Sequence, residues 1–225
     1  MEWVEDQQLA NRMIGDLAEE IRIDKPLPHV TELIYCLTRS WYNRKKPLPP
    51  TPKETMLFAV GVGLEQVLLK QHRQHIGCCN SNPAPCPGYD GIHYDIDFLD
   101  YEEETGELKS TRISSASFIE RMPETWKKQV LSYLKVRART LIILPAMHLM
   151  GDYKPPFPDL RVWKGVATQE EIDTHWEWMV MRRDIYLDAM ERDEPPKQFT
   201  YQEPWECDNC AYKLLCDARQ SMEGD

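Results

Sequence analysis

The sequence predicts a mixed α/β fold in which helices flank a small central mixed sheet. Two segments with helical periodicity open with clear start signals, at Thr51 and at Thr168, and short stretches with a two-residue alternation lie between them. No internal repeat and no linker interrupts this pattern. We therefore expect one domain over residues 1–225, with regions 1–50, 51–168 and 169–225.

The composition is that of a globular protein and excludes a membrane-spanning one. Of the 225 residues, 42% are hydrophobic and 28% are charged, and the formal net charge is −10. The longest apolar stretch, residues 141–150, is too short to span a bilayer, and the N-terminus lacks the basic and apolar regions of a signal peptide. We expect a cytoplasmic protein with no membrane partner, whose seven cysteines are free thiols or metal ligands rather than disulfides.

The first region, residues 1–50, is predicted to be helical. An apolar stripe with four-residue steps predicts a first helix between Val4 and Ile21. Two prolines end it, and a second helix is expected over residues 31–43. A proline-rich connector then leads to the next region.

The second region, residues 51–168, opens with a strong helix signal. Thr51 is the predicted N-cap, Pro52 occupies the first helical position, and Glu54 is the capping-box partner. This helix should reach about residue 72.

The strands of the sheet are predicted from alternating apolar and polar residues. The segment HYDIDFLD alternates strictly, which places Ile96 and Phe98 on one face of a strand and Asp95 and Asp97 on the other. A charged turn, YEEETGE, then leads to a short return strand, ELKST. We also expect a loop over 77–91, a helix over 123–139 and strands over 141–149 and 160–166.

The third region, residues 169–225, is predicted to begin with a long helix. Thr168 and Glu171 form a second capping box at its start, and apolar residues recur along it with helical spacing. The tail that follows contains a dense group of cysteines.

Two local basic clusters could line a nucleic-acid groove on this acidic protein. The alternative is ordinary solvated surface, which such clusters more often are. The first cluster contains Arg39, Arg44, Lys45 and Lys46, and the second contains Lys127, Lys128, Lys135, Arg137 and Arg139.

A carboxylate and a lysine form the most informative pair. Glu107 and Lys109 are separated only by Leu108, and residues two apart on a strand point to the same side. A tight hairpin would bring Asp97, ten positions earlier, close to Glu107. Oxygen ligands from two strands suit Mg²⁺ or Mn²⁺, and the lysine would orient water and balance charge on a phosphate. The pattern predicts phosphodiester hydrolysis; the alternative is a solvent-facing acidic hairpin.

Two helices supply further candidate residues. Glu65 borders an apolar stripe, where a carboxylate needs a partner or a metal unless it reaches water at the edge. Gln129 and Tyr133 share one face of the helix over 123–139. They could hold a DNA strand or orient active-site groups, or they could be a surface glutamine beside a core tyrosine.

The cysteines of the tail are the strongest signal. Cys207, Cys210 and Cys216 have the spacing C-x2-C-x5-C, and Cys36 could supply a fourth ligand. Four thiolates suit an iron–sulfur cluster or Zn²⁺, and the spacing does not separate the two. Either one would tie the tail to the first region. The alternative is a set of unrelated free thiols.

A second cysteine group lies in the predicted loop. Cys78, Cys79 and Cys86, near His72 and His75, have a spacing that permits zinc but no regular pairing. Free loop thiols are the alternative that we favour.

Taken in order, these motifs resemble those of the RecB-type PD-(D/E)xK nucleases that contain an iron–sulfur cluster. The CRISPR-associated exonucleases and the AddB-type repair nucleases are the members that the chain resembles most. The resemblance spans about residues 31–216. It implies a restriction-endonuclease-like α/β core, an active site with Mg²⁺ or Mn²⁺, a 4Fe-4S cluster, and exonucleolytic cleavage of single-stranded DNA ends.

The resemblance also implies roles for individual residues. Lys109 would be the catalytic lysine, and the metal ligands would be Glu65, Asp97, Glu107 and Leu108. Gln129 and Tyr133 would form the family's Q-x3-Y motif, and the cluster ligands would be Cys36, Cys207, Cys210 and Cys216.

Three points of this resemblance are open. Many members have histidine where Glu65 stands, which leaves the metal preference open. Asp95 shares a strand face with Asp97, and we prefer Asp97 because the apolar pair Phe98-Leu99 follows it. The cysteine loop over 77–88 has no counterpart that we can map.

The predicted function is therefore a metal-dependent DNA exonuclease in CRISPR adaptation or in DNA repair, with a CRISPR integrase or repair-complex proteins as partners. One alternative is a non-catalytic DNA-end-binding subunit, against which the intact Asp/Glu/Lys set argues. Another is a zinc-stabilised interaction module, which bound iron and a brown colour would exclude.

Overall fold

The computed structural model of the chain describes residues 7–20, 28–70, 73–77, 88–99, 102–152, 154, 157–197, 205–208 and 210–223. The helices are α1 (Gln7–Glu20), α2 (Val30–Ile34), α3 (Leu37–Lys45), α4 (Pro52–Leu68), α5 (Phe118–Arg121), α6 (Glu124–Arg137), α7 (Gln169–Arg192), α8 (Trp205–Asp208) and α9 (Lys213–Glu223). The strands are β1 (Arg73–Gly77), β2 (Asp95–Leu99), β3 (Thr105–Gly106), β4 (Lys109–Thr111), β5 (Leu141–His148) and β6 (Asp159–Val166). Within these ranges, no helix combines the length and the apolar character that crossing a membrane requires.

The strands form one mixed sheet flanked by helices, as the sequence predicts. Strands β1, β2 and β3 pair antiparallel to one another in chain order. Strands β3 and β4 both run parallel to β5, which is central, and β6 pairs antiparallel with the other side of β5.

The main hydrophobic core lies where four helices pack together beside the sheet. Helices α2, α3, α6 and α7 contact one another, and they bury residues such as Leu37, Tyr133 and Met179. Ile96 of β2 and Ile142 of β5 belong to the same core. The core therefore fixes α6 and α7 against the strands that carry the candidate acidic residues.

The return strand predicted for ELKST forms only as β4, and β3 lies within the predicted turn YEEETGE, so a break at Glu107 and Leu108 separates two short strands. The register is the same on both sides of the break, because Thr105 lies opposite Ile142 and Lys109 lies opposite Ala146. The backbone N–H of Glu107 donates to the Ile143 carbonyl at 3.0 Å. In a parallel ladder the Glu107 carbonyl would then accept from residue 145. That residue is Pro145, which has no N–H, so the ladder breaks there.

The predicted second helix is also two elements, α2 and α3, separated at Tyr35 and Cys36. The physical reason is a side chain from α7. The buried Arg182 guanidinium donates to the carbonyls of Leu33 and Tyr35, which replaces their helical hydrogen bonds. The backbone at Tyr35 is extended, with ψ of −179°.

Both predicted capping boxes are present, and one helix end is not where it was predicted. At Thr51 the hydroxyl accepts from the Glu54 N–H, and the Glu54 carboxylate accepts from the Thr51 N–H; the same exchange occurs at Thr168. Helix α4 ends at Leu68, not near residue 72, and β1 follows. Strand β1 was not predicted, because its short sequence lacks clear alternation and it forms by pairing with β2.

The candidate second cysteine group cannot be placed in this fold. Cys78, Cys79 and Cys86 lie outside the described residues. The preference for free loop thiols over a zinc site there stays a prediction.

Candidate functional site

The pairing of β2 with β3 brings two candidate carboxylates together. Phe98 lies opposite Gly106 and Leu99 lies opposite Thr105. Extending this antiparallel register by one residue places Asp97 opposite Glu107. Residues directly opposite on an antiparallel pair have their side chains on the same face of the sheet. The hairpin predicted from the sequence therefore has the geometry that the candidate site requires.

The break in the return strand adds a contact between these two strands. The Leu108 N–H is not part of the ladder with β5 and donates to Asp97 Oδ2 at 2.8 Å. Asp97 is thus held in place by the backbone of the segment that carries Glu107. Leucine has no polar side-chain atom, so Leu108 can contribute only its backbone to a metal site.

One cleft of about 560 Å³ joins the candidate residues from the two strands with a candidate from α4. Its walls include Glu65, Asp97, Glu107 and Lys109. The same cleft does not include Asp95, although Asp95 also lies on β2. This distinction favours Asp97 over Asp95 as the carboxylate that belongs to the site.

Lys109 is fixed by a chain of hydrogen bonds that runs into α6. Its ammonium donates to Glu107 Oε1 at 2.6 Å and to Gln129 Oε1 at 2.8 Å. The Gln129 amide donates to the Tyr133 hydroxyl at 2.9 Å, which donates to the Asp95 carbonyl at 2.7 Å. Gln129 is therefore a buried link and not a surface residue, and the Q-x3-Y pair supports the lysine.

Trp126 is a neighbour of Lys109 whose role the sequence reasoning missed. The Lys109 Nζ lies 5.5 Å from the centre of the Trp126 ring, within range of a cation–π attraction. Trp126 precedes Gln129 by three residues on α6, so the two share a face of that helix. This spacing was the signal that could have identified it.

Burial sets the ionisation of the site. It raises the pKa of Asp97, although the charge of Lys109 opposes this. Burial, followed by repulsion from Asp97, raises the pKa of Glu107 to about 8. Burial would lower the pKa of Lys109, but the charge of Glu107 and the hydrogen bond to it raise that pKa overall. Lys109 is therefore an ammonium at neutral pH, suited to balancing negative charge.

The acidic pair fits a divalent cation in its donor chemistry. Glu107 Oε2 is buried without a hydrogen-bond partner among the described residues, and the Asp97 carboxylate is close enough to oppose its ionisation. Two such oxygens are ligands that Mg²⁺ and Mn²⁺ accept, with water completing the coordination. In the described part of the chain, no group of three or more His, Cys, Asp or Glu side chains is arranged to hold one metal ion.

The two basic clusters are largely paired within the chain, which favours the interpretation as ordinary surface. Acidic partners or an aromatic ring neutralise or cover several of their cations. The contacts are Arg44 with Glu32, Lys45 with Asp193, Lys127 with Glu124, Lys135 with Asp173, and Lys128 with the ring of Trp178.

The four candidate cluster cysteines come from both ends of the chain and act on one another electrostatically, but among the described residues they do not form a group arranged to hold one metal ion. None of them forms a disulfide. Burial and the charges of the other three cysteines raise the pKa of Cys216 to about 11. Burial, then Cys36 and Cys210, raise the pKa of Cys207. Thiols that repel one another's ionisation in this way are those that a bound metal group would stabilise.

Two buried charged residues that the sequence reasoning missed hold Cys36 in this position. Glu206 Oε2 accepts from the Cys36 N–H at 2.7 Å. Arg182 donates to the backbone carbonyl of Tyr35, directly before Cys36. A buried arginine in a long helix and a glutamate beside a cysteine carry no pattern that would identify this role.

Comparison with known proteins identifies a solved structure with a similar fold. No protein-family model matches the sequence, and no curated protein matches it. The crystal structure of SSO0001 is similar over 93% of this chain and 96% of that chain, with a TM-score of 0.60 and 16% identity, which shows a shared fold. An alkaline exonuclease (LHK-Exo) from Laribacter hongkongensis matches over 80% of this chain and 97% of that chain, with a TM-score of 0.38 and 10% identity.

Proposed function

We propose that the chain is a metal-dependent deoxyribonuclease that hydrolyses phosphodiester bonds at the ends of single-stranded DNA. The observation that carries the proposal is the convergence of Asp97, Glu107 and Lys109 in one cleft. Two acids and an ammonium in this arrangement are the groups that phosphodiester hydrolysis uses. Action on single-stranded ends is what the resemblance to the RecB-type nucleases implies.

Asp97 and Glu107 would hold a Mg²⁺ or Mn²⁺ ion, and Glu65, on the same cleft, would contribute to its coordination. Such an ion supplies an electrophile for the phosphate and makes water a nucleophile at neutral pH. The Leu108 N–H keeps the Asp97 carboxylate turned toward Glu107. At this end of the cleft Glu107 is buried and Asp97 is half-buried.

Lys109 would stabilise the negative charge that develops on the phosphate and orient the attacking water. It is suited to this because it stays protonated and is fixed at 2.6 Å from Glu107 and 2.8 Å from Gln129. A charged donor that is already in position pays no reorganisation cost in the transition state. Gln129 and Tyr133 act through Lys109 as positioning residues.

The four cysteines Cys36, Cys207, Cys210 and Cys216 would bind a 4Fe-4S cluster with a structural role. The electrostatic interactions among their thiols support this proposal. A cluster would tie the tail to the segment between α2 and α3 and so hold the two ends of the chain together. The resemblance further implies a cytoplasmic enzyme of CRISPR adaptation or of DNA repair, which works beside an integrase or repair-complex proteins.

The test of the nuclease is degradation of end-labelled single-stranded DNA with Mg²⁺, with Mn²⁺ and with chelator. We expect Lys109→Ala to lower the rate by roughly a hundredfold or more. Lys127→Ala is the matched control, because that lysine is exposed on α6 and pairs with Glu124. Equal rates for wild type and Lys109→Ala would refute the proposal, and tight strand binding without turnover would favour a non-catalytic end-binding subunit.

The test of the cluster is iron content and visible absorption of anaerobically prepared protein. We expect bound iron and a brown colour, and loss of both in Cys36→Ala. Cys36→Ala should also lower the melting temperature far more than Cys79→Ala, because only Cys36 is proposed as a ligand. Bound zinc in a colourless protein would replace the iron–sulfur proposal with a zinc site.

A further inference from the structure

Helix α4 carries an apolar face that the rest of the described chain does not cover. Thr55 is the one residue of the helix that is fully buried. By contrast, Leu57 is 56% exposed and Phe58 is 54% exposed on the side of the helix that lines the cleft. An aromatic ring and large aliphatic side chains left in water along one helix indicate a surface that meets something else.

This apolar face is continuous with the candidate catalytic cleft. The cleft is lined on one side by α4 residues at helical spacing, namely Leu57, Phe58, Gly61, Val62, Leu64 and Glu65. Phe58 and Glu65 are seven residues apart, so they lie about 10 Å apart along the helix axis. A short stretch of extended DNA strand whose phosphate is at the acidic end therefore passes Phe58.

The charges of the cleft cannot by themselves hold a nucleic acid. Among the residues that line it, Lys109 is the one cation, and three are acids, Glu65, Asp97 and Glu107. Contacts between basic residues and phosphates supply most of the affinity in many nucleic-acid complexes. Because this wall lacks them, stacking with the bases would add to the binding that a cation held by the acids gives to a phosphate.

We propose that Phe58 is a nucleobase-stacking residue that holds an unpaired nucleotide of the substrate strand beside the catalytic cleft, with Leu57 and Val62 forming the apolar wall around it. This inference rests on the proposed function, because it takes the strand to lie along the cleft. Stacking on an aromatic ring accepts every base, since each has a π-face. A paired base is already stacked within its duplex, so Phe58 selects unpaired strands.

The space beside the Phe58 ring, on the side of Gly61, is open enough for a base. A Cβ added at Gly61, one turn further along α4, would have no atom within 4 Å. Gly61 and Phe58 both line the cleft, so the absent side chain leaves space beside the ring. The aromatic ring and the open glycine thus lie together where a planar group would enter.

The experiment measures binding of a fluorescent single strand to the full chain by anisotropy, with Ca²⁺ in place of Mg²⁺ so that the strand stays intact. The variants are Phe58→Ala, Phe58→Trp, which keeps an aromatic ring, and Met56→Ala as the matched control. Met56 is 47% exposed on the same helix but does not line the cleft. Each is measured with a normal strand and with a strand of abasic nucleotides.

We expect Phe58→Ala to weaken binding of the normal strand by roughly tenfold or more. Phe58→Trp and Met56→Ala should bind as the wild type does, and the abasic strand should bind wild type and Phe58→Ala equally. Unchanged binding of the normal strand by Phe58→Ala would overturn the proposal. So would an equal loss on the abasic strand, since the effect would then not be stacking.

The same variants separate this inference from the proposed nuclease. If the wild type hydrolyses DNA and Phe58→Ala does so with an unchanged KM, the stacking proposal fails and the nuclease stands. If the wild type hydrolyses nothing but its strand binding depends on Phe58 as described, the nuclease fails and the stacking proposal stands.

Discussion

The Glu206 carboxylate accepts a hydrogen bond from the Cys36 N–H at 2.7 Å across 170 residues of sequence. Glu206 is 1% exposed, and its charge and that of Cys36 act on the buried Arg182. The tail is therefore joined to the segment between α2 and α3 by a charged hydrogen bond, in addition to any ligand that the cysteines share. This bond and Arg182 fix the position of Cys36.

Glu206→Ala should lower the free energy of unfolding by about 2–4 kcal/mol, because it removes the acceptor of the buried Cys36 N–H and an acidic group that acts on the buried Arg182. Glu206→Gln should lower the free energy of unfolding by a smaller amount, since an amide oxygen can still accept from the Cys36 N–H. Urea unfolding measures both. Glu177→Ala is the control, because Glu177 is exposed on α7 and should change little. A loss for Glu206→Ala no larger than that of the control would contradict the role given to this bond.

Tyr133→Phe should slow hydrolysis by roughly tenfold with KM unchanged, because the hydroxyl joins the Gln129 amide to the Asp95 carbonyl and so positions Lys109. It should also cost about 1 kcal/mol of stability. Tyr212→Phe is the matched control. Its hydroxyl makes two comparable bonds, from the Leu48 N–H and to the Lys46 carbonyl, far from the acids. Similar losses of rate in both variants would show that the effect is general.

Gly106→Ala should destabilise the protein by about 1–3 kcal/mol or more through overpacking. A Cβ at Gly106 would lie 2.1 Å from Cζ of the buried Phe98 ring on the paired strand. The strand bearing Glu107 would have to move, so the rate of hydrolysis should fall as well. In the double variant with Phe98→Leu, which removes the obstructing ring, the added cost of Gly106→Ala should largely disappear. Thermal and urea unfolding of the four proteins measure this coupling.

Gly61 and Gly63, both in α4, form a matched pair of positions for testing whether the strand lies along the cleft. A Cβ at Gly61 or Gly63 would meet no atom within 4 Å, so alanine at either should stabilise the helix by about 0.5–1 kcal/mol. Gly61 lines the cleft and Gly63 does not. Gly63→Ala should therefore leave strand binding unchanged, whereas Gly61→Ala should weaken it. Equal strand affinities in the two variants would mean that the strand does not pass Gly61.

His175 should contribute a loss of stability in mild acid, and the raised pKa of Glu107 acts in the opposite direction. Burial, followed by the charge of Lys128, lowers the pKa of His175 from 6.5 to about 4 in the folded protein, where its Nε2 lies 2.9 Å from the Ser132 hydroxyl. Between pH 6.5 and pH 4 the unfolded chain binds a proton that the folded one does not, so stability is lost as the pH falls. From pH 7 to pH 5 this is worth about 2 kcal/mol. Urea unfolding at pH 7 and at pH 5 should show that the free energy of unfolding changes differently in His175→Gln and in the wild type. The loss on going to pH 5 should be smaller in the variant by about 2 kcal/mol. The same loss in both proteins would refute the assignment.

Local sequence signals predicted most elements of the fold. The capping boxes at Thr51 and Thr168 are interactions between residues three apart, so they can be recognised without a structure. Helices α6 and α7 and strands β2, β5 and β6 follow from periodicity in the same way. Strand β1 and the break between α2 and α3 could not be predicted, because each depends on a partner distant in sequence, β2 for the strand and Arg182 for the break.

The residues of the candidate site divide in the same way, into those that a local pattern predicts and those that depend on partners distant in sequence. The spacing of Glu107 and Lys109 identifies two groups on one side of a strand, and a hairpin from Asp97 follows from the turn between them. The sequence does not contain the hydrogen bond from Lys109 to Gln129 or the contact of Lys109 with the ring of Trp126. These depend on where α6 packs and on the Leu108 N–H, which donates to the Asp97 carboxylate.

What the sequence alone determined is the set of elements and the chemical character of the candidate groups, because both depend on neighbours along the chain. Only the tertiary structure decided which groups meet. It placed Phe58 on the wall of the acidic cleft. It also brought cysteines from both ends of the chain close enough to affect one another's ionisation. Contacts between distant residues depend on packing of the whole core, which no local pattern encodes.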